Sequence, residues 1–234
     1  MYSRRCLLRA TRKFSPYLLG AILTIYISSA FQQYFPTILT LLFTRLNNSP
    51  PEKFKQRFVR FYHLVSSRDQ LGLGADFFIQ NSDSVQEGVF PPVYLTIILP
   101  ITQQLARPLE RKLAVISLTK TLTDSKAFAV RYQKGWAKTC EALLKILENP
   151  PMPVSSDDAV VEVDVDDLSF GVGFTPLNTC KKVAKDDWPE AVNVKAWVGE
   201  YLKAADTRKN GELAGFVQAR LPKDAQDVLI SYMR

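Results

Sequence analysis

The 234-residue chain has one histidine, three cysteines and none of the short signatures around which nucleotide, hydrolase or metalloprotease sites are built. GxxxxGKS/T, GxSxG and HExxH do not occur. Gly72-Leu73-Gly74 lacks the third glycine and the flanking strand of a dinucleotide loop, so it reads as a turn. His63 stands beside Phe61 and Tyr62 with no nucleophile or carboxylate motif to serve. It reads as a packed or half-exposed side chain. Cys6, Cys140 and Cys180 lie far apart, are odd in number and form no CxxC pair. They support neither a zinc site nor a disulfide framework, and they suit a reducing compartment. No catalytic, metal-binding or cofactor-binding residue emerges, and the chain reads as a non-enzymatic protein.

Charge of one sign is missing from two stretches. Residues 1–30 carry five basic groups and no acid; residues 150–168 carry six acids and no base. Those acids are Asp157, Asp158, Glu162, Asp164, Asp166 and Asp167. They lack the mid-loop glycine and terminal glutamate of an EF-hand, so calcium is not implied. Their alternation with valine has the period of a strand, but a lone strand has no partner here. The stretch reads as an extended acidic linker lying across helices, or as a docking strip for a basic partner. The net charge is +7, and outside the N-terminal arm the basic excess is diffuse. A nucleic-acid binder would gather its lysines and arginines on one patch, so nucleic acid is disfavoured.

What is present is apolar: 47% of the residues are hydrophobic, enough to build a buried core. No charge occurs between Lys13 and Arg45. A basic arm, a short apolar run and Ser28-Ser29-Ala30 have the outline of a signal peptide, and a basic, acid-free start also suits a transit peptide. Ser28, Ser29, Gln32, Gln33 and Pro36 interrupt the stretch at the wrong places for a membrane span. Residues 1–30 therefore stand apart as an atypical basic and apolar segment, as a truncated or mis-spliced gene model, a diverged leading helix or a targeting sequence would supply.

From residue 31 helix-length periodic segments follow one another between Pro- and Gly-marked turns. The first runs over residues 33–47 and stops at Asn47-Asn48-Ser49-Pro50-Pro51. In the second, Phe54, Phe58, Phe61 and Val65 form one apolar stripe. Lys53, Arg57 and Arg60 form an adjoining basic row, a candidate face for an acidic partner. A third segment spans residues 75–86. Pro91-Pro92 opens a fourth through Leu99, with Pro100 inside or ending it. Pro108 opens a fifth, where Leu109, Leu113 and Ile116 make one stripe and Val115, Leu118 and Leu122 another. Two stripes imply burial on two sides, between neighbours in a stack. Residues 135–148 place Trp136, Cys140, Leu143, Leu144 and Leu147 on one face. After the Pro-rich and acidic linker at 149–175, a C-terminal helical block at 176–234 repeats the helical spacing in Val194, Trp197, Val198 and Tyr201, and again in Ala225, Val228, Leu229 and Tyr232. The expected fold is all-α: stacked antiparallel helix pairs, either a HEAT-type solenoid or an irregular bundle.

Three stretches carry a resemblance: QQYFPTILTLLFTRLNNSPPEKFKQRFVRFYHLVSSR at 32–68, GVFPPVYLTIILPITQQLARPLERKLAVISLTKTLTDSKAF at 88–128 and VEVDVDDLSFGVGFTPLNTCKKVA at 161–184. Together they resemble, over residues 31–234, the C-terminal region of the cellular apoptosis susceptibility (chromosome segregation) exportins, the importin-α re-exporting branch of the importin-β superfamily. The resemblance implies a HEAT-repeat solenoid with no catalytic site. It implies surface binding of importin-α together with Ran-GTP, and movement between nucleus and cytoplasm. The N-terminal repeats that grip Ran in that family have no counterpart in these 234 residues, so weaker partner binding is expected of this chain. The candidate partner-binding residues are the row Lys53, Arg57, Arg60 and the strip Asp157, Asp158, Glu162, Asp164, Asp166, Asp167. The alternative is a secreted or membrane-anchored helical protein that uses residues 1–30 as its signal.

Overall fold

The computed structural model of the protein describes residues 28–149, residue 186 and residues 188–233. Among these residues every regular element is helical. The acidic stretch Asp157 to Asp167 and most of residues 1–30 lie outside the described residues.

Helix α1 (Ser28–Asn47) begins just before the expected boundary, contains Pro36 and ends ahead of Pro50-Pro51. Helix α2 (Glu52–Ser66) starts directly after Pro51 and keeps an acid in its first turn, where the helix dipole favours one. A 3₁₀ turn (Asp69–Leu71) leads to Gly72 and Gly74, whose positive φ angles of 69° and 120° suit glycine alone. Helix α3 (Ala75–Val85) follows.

The next helix, α4, covers residues 90–103 as Phe90–Val93, Tyr94–Ile98 and Leu99–Gln103. Its middle part is a π-helix: the Leu99 N–H donates to Tyr94 O, five residues back. Pro100 explains this. It has no N–H to give Thr96 O, and its ring would collide with that carbonyl, so the helix widens just before it. Pro100 thus sits inside the helix without ending it. Helix α5 (Pro108–Asp124), a short α6 (Lys126–Val130) and α7 (Gln133–Glu148) complete the first block. The C-terminal block contains α8 (Val194–Arg208), α9 (Glu212–Arg220) and α10 (Lys223–Met233).

Helix α5 is the centre of the molecule. Helices α2, α7 and α8 all pack on it, and every residue from Leu113 to Thr123 is buried. The two stripes read from the sequence are both buried apart from Leu109, which sits in the first turn and is 37% exposed. Helix α7 runs antiparallel to α5: Trp136 Nε1 at its start donates to Leu122 O (3.0 Å), and Ile146 O at its end accepts from Arg111 Nη2 (2.5 Å). Helix α2 runs parallel to α5, with Arg60 beside Glu110 and His63 beside Ser117. Parallel α2 and α5 side by side, with α4 and α7 packed behind them, make stacked helical hairpins.

Aromatic rings tie the first block together. Phe35 of α1 meets Phe61, Phe77 and Phe78; Tyr62 meets Phe78 and Tyr94; Phe90 and Tyr94 meet Phe128. Centroid separations of 4.7–6.1 Å lie within the range where ring pairs attract. No helix among the described residues is long and apolar enough to cross a membrane.

Candidate functional site

The basic row lies along α2 beside the apolar stripe. Phe58, Phe61 and Val65 are buried and Phe54 is half-buried, which turns residues 53, 57 and 60 outward. Lys53 is exposed, while Arg57 and Arg60 are half-buried. Arg60 Nη1 donates to Glu110 Oε1 at 3.3 Å, and Arg107 reaches the same carboxylate at 3.8 Å. Glu110 is an acid in the first turn of α5, and it joins Arg60 of α2 to Arg107 at the N-cap of α5. The structure places the three predicted cations on one stretch of α2, and Arg60 pairs with Glu110.

Two residues at the start of α5 hold Asn149 and Asp186. Arg111 Nη2 donates to Ile146 O and to Asn149 O (2.8 Å), and Nη1 to Leu105 O (3.3 Å). Burial lowers the Arg111 pKa, and these carbonyls supply acceptors in place of water. Its neighbour Lys112 donates to Asp186 Oδ2 at 2.7 Å. The hydrogen bond from Lys112, together with one from the Trp188 N–H, lowers the Asp186 pKa. Lys120 is 5% exposed; it bonds Ser67 O and the Asp69 carboxylate and lies 4.4 Å from the Trp188 ring.

His63 is 1% exposed. Its Nδ1 meets Ser117 Oγ and its Nε2 meets Thr102 Oγ1, both at 2.9 Å. A neutral ring supplies one donor and one acceptor for these contacts. Burial drives its pKa down to about 3, so the ring is neutral at physiological pH. No carboxylate or thiol meets it, and it joins α2 to α4 and α5 as packing. Cys140 is also buried, its thiol pushed up to about 12 by burial and by Glu141. Among the described residues no cluster of three or more His, Cys, Asp or Glu side chains is placed to hold a metal.

A groove that the sequence reading did not single out lies between α4 and the corner formed by α6 and α7. Its floor is aromatic: Phe90, Tyr94 and Phe128 are buried, and Tyr132 is half-buried. Leu95 and Val130 flank it with 42% and 75% of their surfaces exposed, and Arg131 and Lys134 also line it. Two i, i+4 aromatic pairs, Phe90/Tyr94 and Phe128/Tyr132, were the available sequence signal. They lie on separate segments, and only the fold brings them together.

The family model described as "CAS/CSE protein, C-terminus" matches residues 7–232, so the match begins inside the N-terminal segment set apart by its composition. The chain is 32% identical over 221 residues to a Schizosaccharomyces pombe protein named "Importin-alpha re-exporter", covering 92% of this chain and 23% of that protein. It is 28% identical over 221 residues to the Xenopus laevis protein named "Exportin-2", covering 93% of this chain and 22% of that protein. A solved structure titled "The exportin Cse1 in its cargo-free, cytoplasmic state" superposes with a TM-score of 0.71 at 22% identity, over 93% of this chain and 22% of that one. That likeness shows the fold of stacked helical hairpins. The chain spans less than a quarter of the length of these relatives.

Proposed function

Because the chain belongs to the CAS/CSE family and matches its C-terminal region, we propose that it is the C-terminal helical-repeat part of a receptor that carries importin-α from nucleus to cytoplasm together with Ran-GTP. The carrying observation is the family match over residues 7–232, supported by relatives named for importin-α re-export. On this reading the chain works in nucleus and cytoplasm by surface complementarity, without catalysis and without a cofactor. The face formed by Lys53, Arg57 and Arg60 supplies cations to an acidic partner surface. The strip Asp157, Asp158, Glu162, Asp164, Asp166 and Asp167 supplies carboxylates to a basic one. Charge of this kind sets register and encounter rate, and its effect weakens as salt rises.

The test is a chimera in which this chain replaces the matching C-terminal portion of the fission yeast relative. Calorimetric titration with importin-α, with and without Ran-GTP, is expected to show Ran-dependent binding that falls with salt. Charge reversal of Lys53, Arg57 and Arg60 together is expected to weaken it about tenfold or more. A folded chimera with no affinity for importin-α would sink the reading. Full affinity after the triple reversal would remove the basic row from it. The isolated chain is expected to bind far more weakly than the chimera, since affinity in a solenoid is summed over many linked repeats.

A further inference from the structure

We propose that the groove between α4 and the α6–α7 corner is a docking site for a short acidic peptide segment, presented by a partner protein and carrying an aliphatic or aromatic anchor residue. The inference is independent of the transport reading. An apolar residue entering the groove meets the rings of Phe90, Tyr94 and Phe128 below and the exposed Leu95 and Val130 at the sides. Those two side chains have water against surface that the floor cannot cover, and an anchor between them would remove it.

Charge selects the sign of the occupant. The residues lining the groove include two cations, Arg131 and Lys134, and no carboxylate. Asp83 of α3 binds Arg131 at 2.6 Å, yet the arginine keeps 51% of its side chain exposed toward solvent. The start of α7 has the same polarity. Tyr132 at its N-cap makes no side-chain cap, and the first turn holds no acid. Gln133, Lys134 and Gly135 all line the groove, so the positive end of a sixteen-residue helix opens onto it. The hydroxyl of Tyr132 is buried with no hydrogen-bond partner among the described residues. Being buried, that hydroxyl does not open onto the groove, so the sign of the occupant is set by the two cations and the helix end.

The probe is a fluorescein-labelled peptide EDLFEEL, titrated by anisotropy into the full chain. Two controls accompany it: KKLFKKL, with the charges reversed, and EDSSEES, with the anchors removed. Saturable binding by EDLFEEL alone is expected, falling as salt rises from low to physiological strength. Val130→Glu and Lys134→Glu, both at exposed positions, are expected to weaken it about tenfold each without moving the melting temperature. Arg45→Glu, at the exposed end of α1 and outside the groove lining, is expected to leave it unchanged. Absence of saturable binding, equal binding of KKLFKKL, or binding indifferent to Val130→Glu would each overturn the proposal. So would a concentration-dependent dimer in sedimentation that Val130→Glu abolishes, because the face would then meet a second copy.

Discussion

Phe58 and His63 share one helix and test its buried face in different ways. Phe58 has no exposed surface and packs between Phe43 and Phe78 at ring separations of 6.2 and 6.4 Å. Phe58→Ala leaves a ring-sized hole among aromatic neighbours that cannot collapse into it, and is expected to cost about 3–5 kcal/mol. The denaturant midpoint reads this directly, and an unchanged midpoint would mean that the ring is not core. His63 gives a pH signature. In the folded protein the ring stays neutral down to about pH 3, whereas in the unfolded chain it takes up a proton below about pH 6.5. The unfolded chain therefore binds more protons below pH 6.5. The stability is intact above that value and is lost progressively as pH falls toward 3. At pH 5 the loss is about 2 kcal/mol, from 1.5 units at 1.36 kcal/mol each. His63→Gln should flatten the fall in stability between pH 7 and pH 5. A slope equal to that of the wild type would assign it to other groups.

At the scale of elements, two contacts set how helices meet. Asp76 of α3 caps a helix other than its own: its carboxylate accepts from the N–H groups of Lys126 (2.9 Å) and Ala127 (3.3 Å) and from the Ser125 hydroxyl. Ser125 Oγ accepts from Phe128 N in turn. Asp76→Ala removes the acceptor for two orphan amides and is expected to cost about 1–2 kcal/mol. Hydrogen exchange should locate the loss at residues 126–130. Uniform exchange in that segment with and without the substitution would contradict it. Gly199 of α8 faces the backbone of α10 closely enough that an added Cβ would sit 2.0 Å from Tyr232 O. Gly199→Ala must push α10 away, at a cost of about 1–3 kcal/mol. Faster exchange over residues 223–233, with residues 52–148 unaffected, is the expected pattern. These elements also show where sequence pattern runs out. The stripe Phe54, Phe58, Phe61, Val65 was legible because fifteen residues give it four recurrences. Helix α6 is five residues long, too short for any period to register, and its own Ser125 cap is supplemented by Asp76 from another helix. Helix α9 was not singled out because Leu213 and Val217 are its only buried residues.

At the scale of the whole molecule, the all-α architecture was legible because each long helix has its own apolar face and a Pro or Gly stop. The groove was not, since it is assembled from α4, α6 and the start of α7. The basic row was half legible. Spacing placed Lys53, Arg57 and Arg60 on one face, but the carboxylate that engages Arg60 lies fifty residues away on α5. Polar links between the C-terminal block and the rest include Lys112–Asp186, Lys195–Glu148, Tyr201–Asp124 and Arg220 to Ala129 O. Apolar side chains, among them Val198, Leu202 and Phe216 against Trp136, close the same seam.

The adjacent grips of Arg111 and Lys112 bear on how freely this protein can change. Asn149 and Asp186 are far apart in sequence, and consecutive residues of one helix hold both. Both ends of the intervening span are thereby fixed on α5. Those ends should stay in place whatever the sequence between them, because the contacts that hold them are made by α5. A single proteolytic cut in the span should likewise yield two fragments that still elute together, because the seam and not the peptide chain joins the C-terminal block to α5. Co-expressed halves split there should assemble, making this the natural place to divide the protein or to graft a reporter into it.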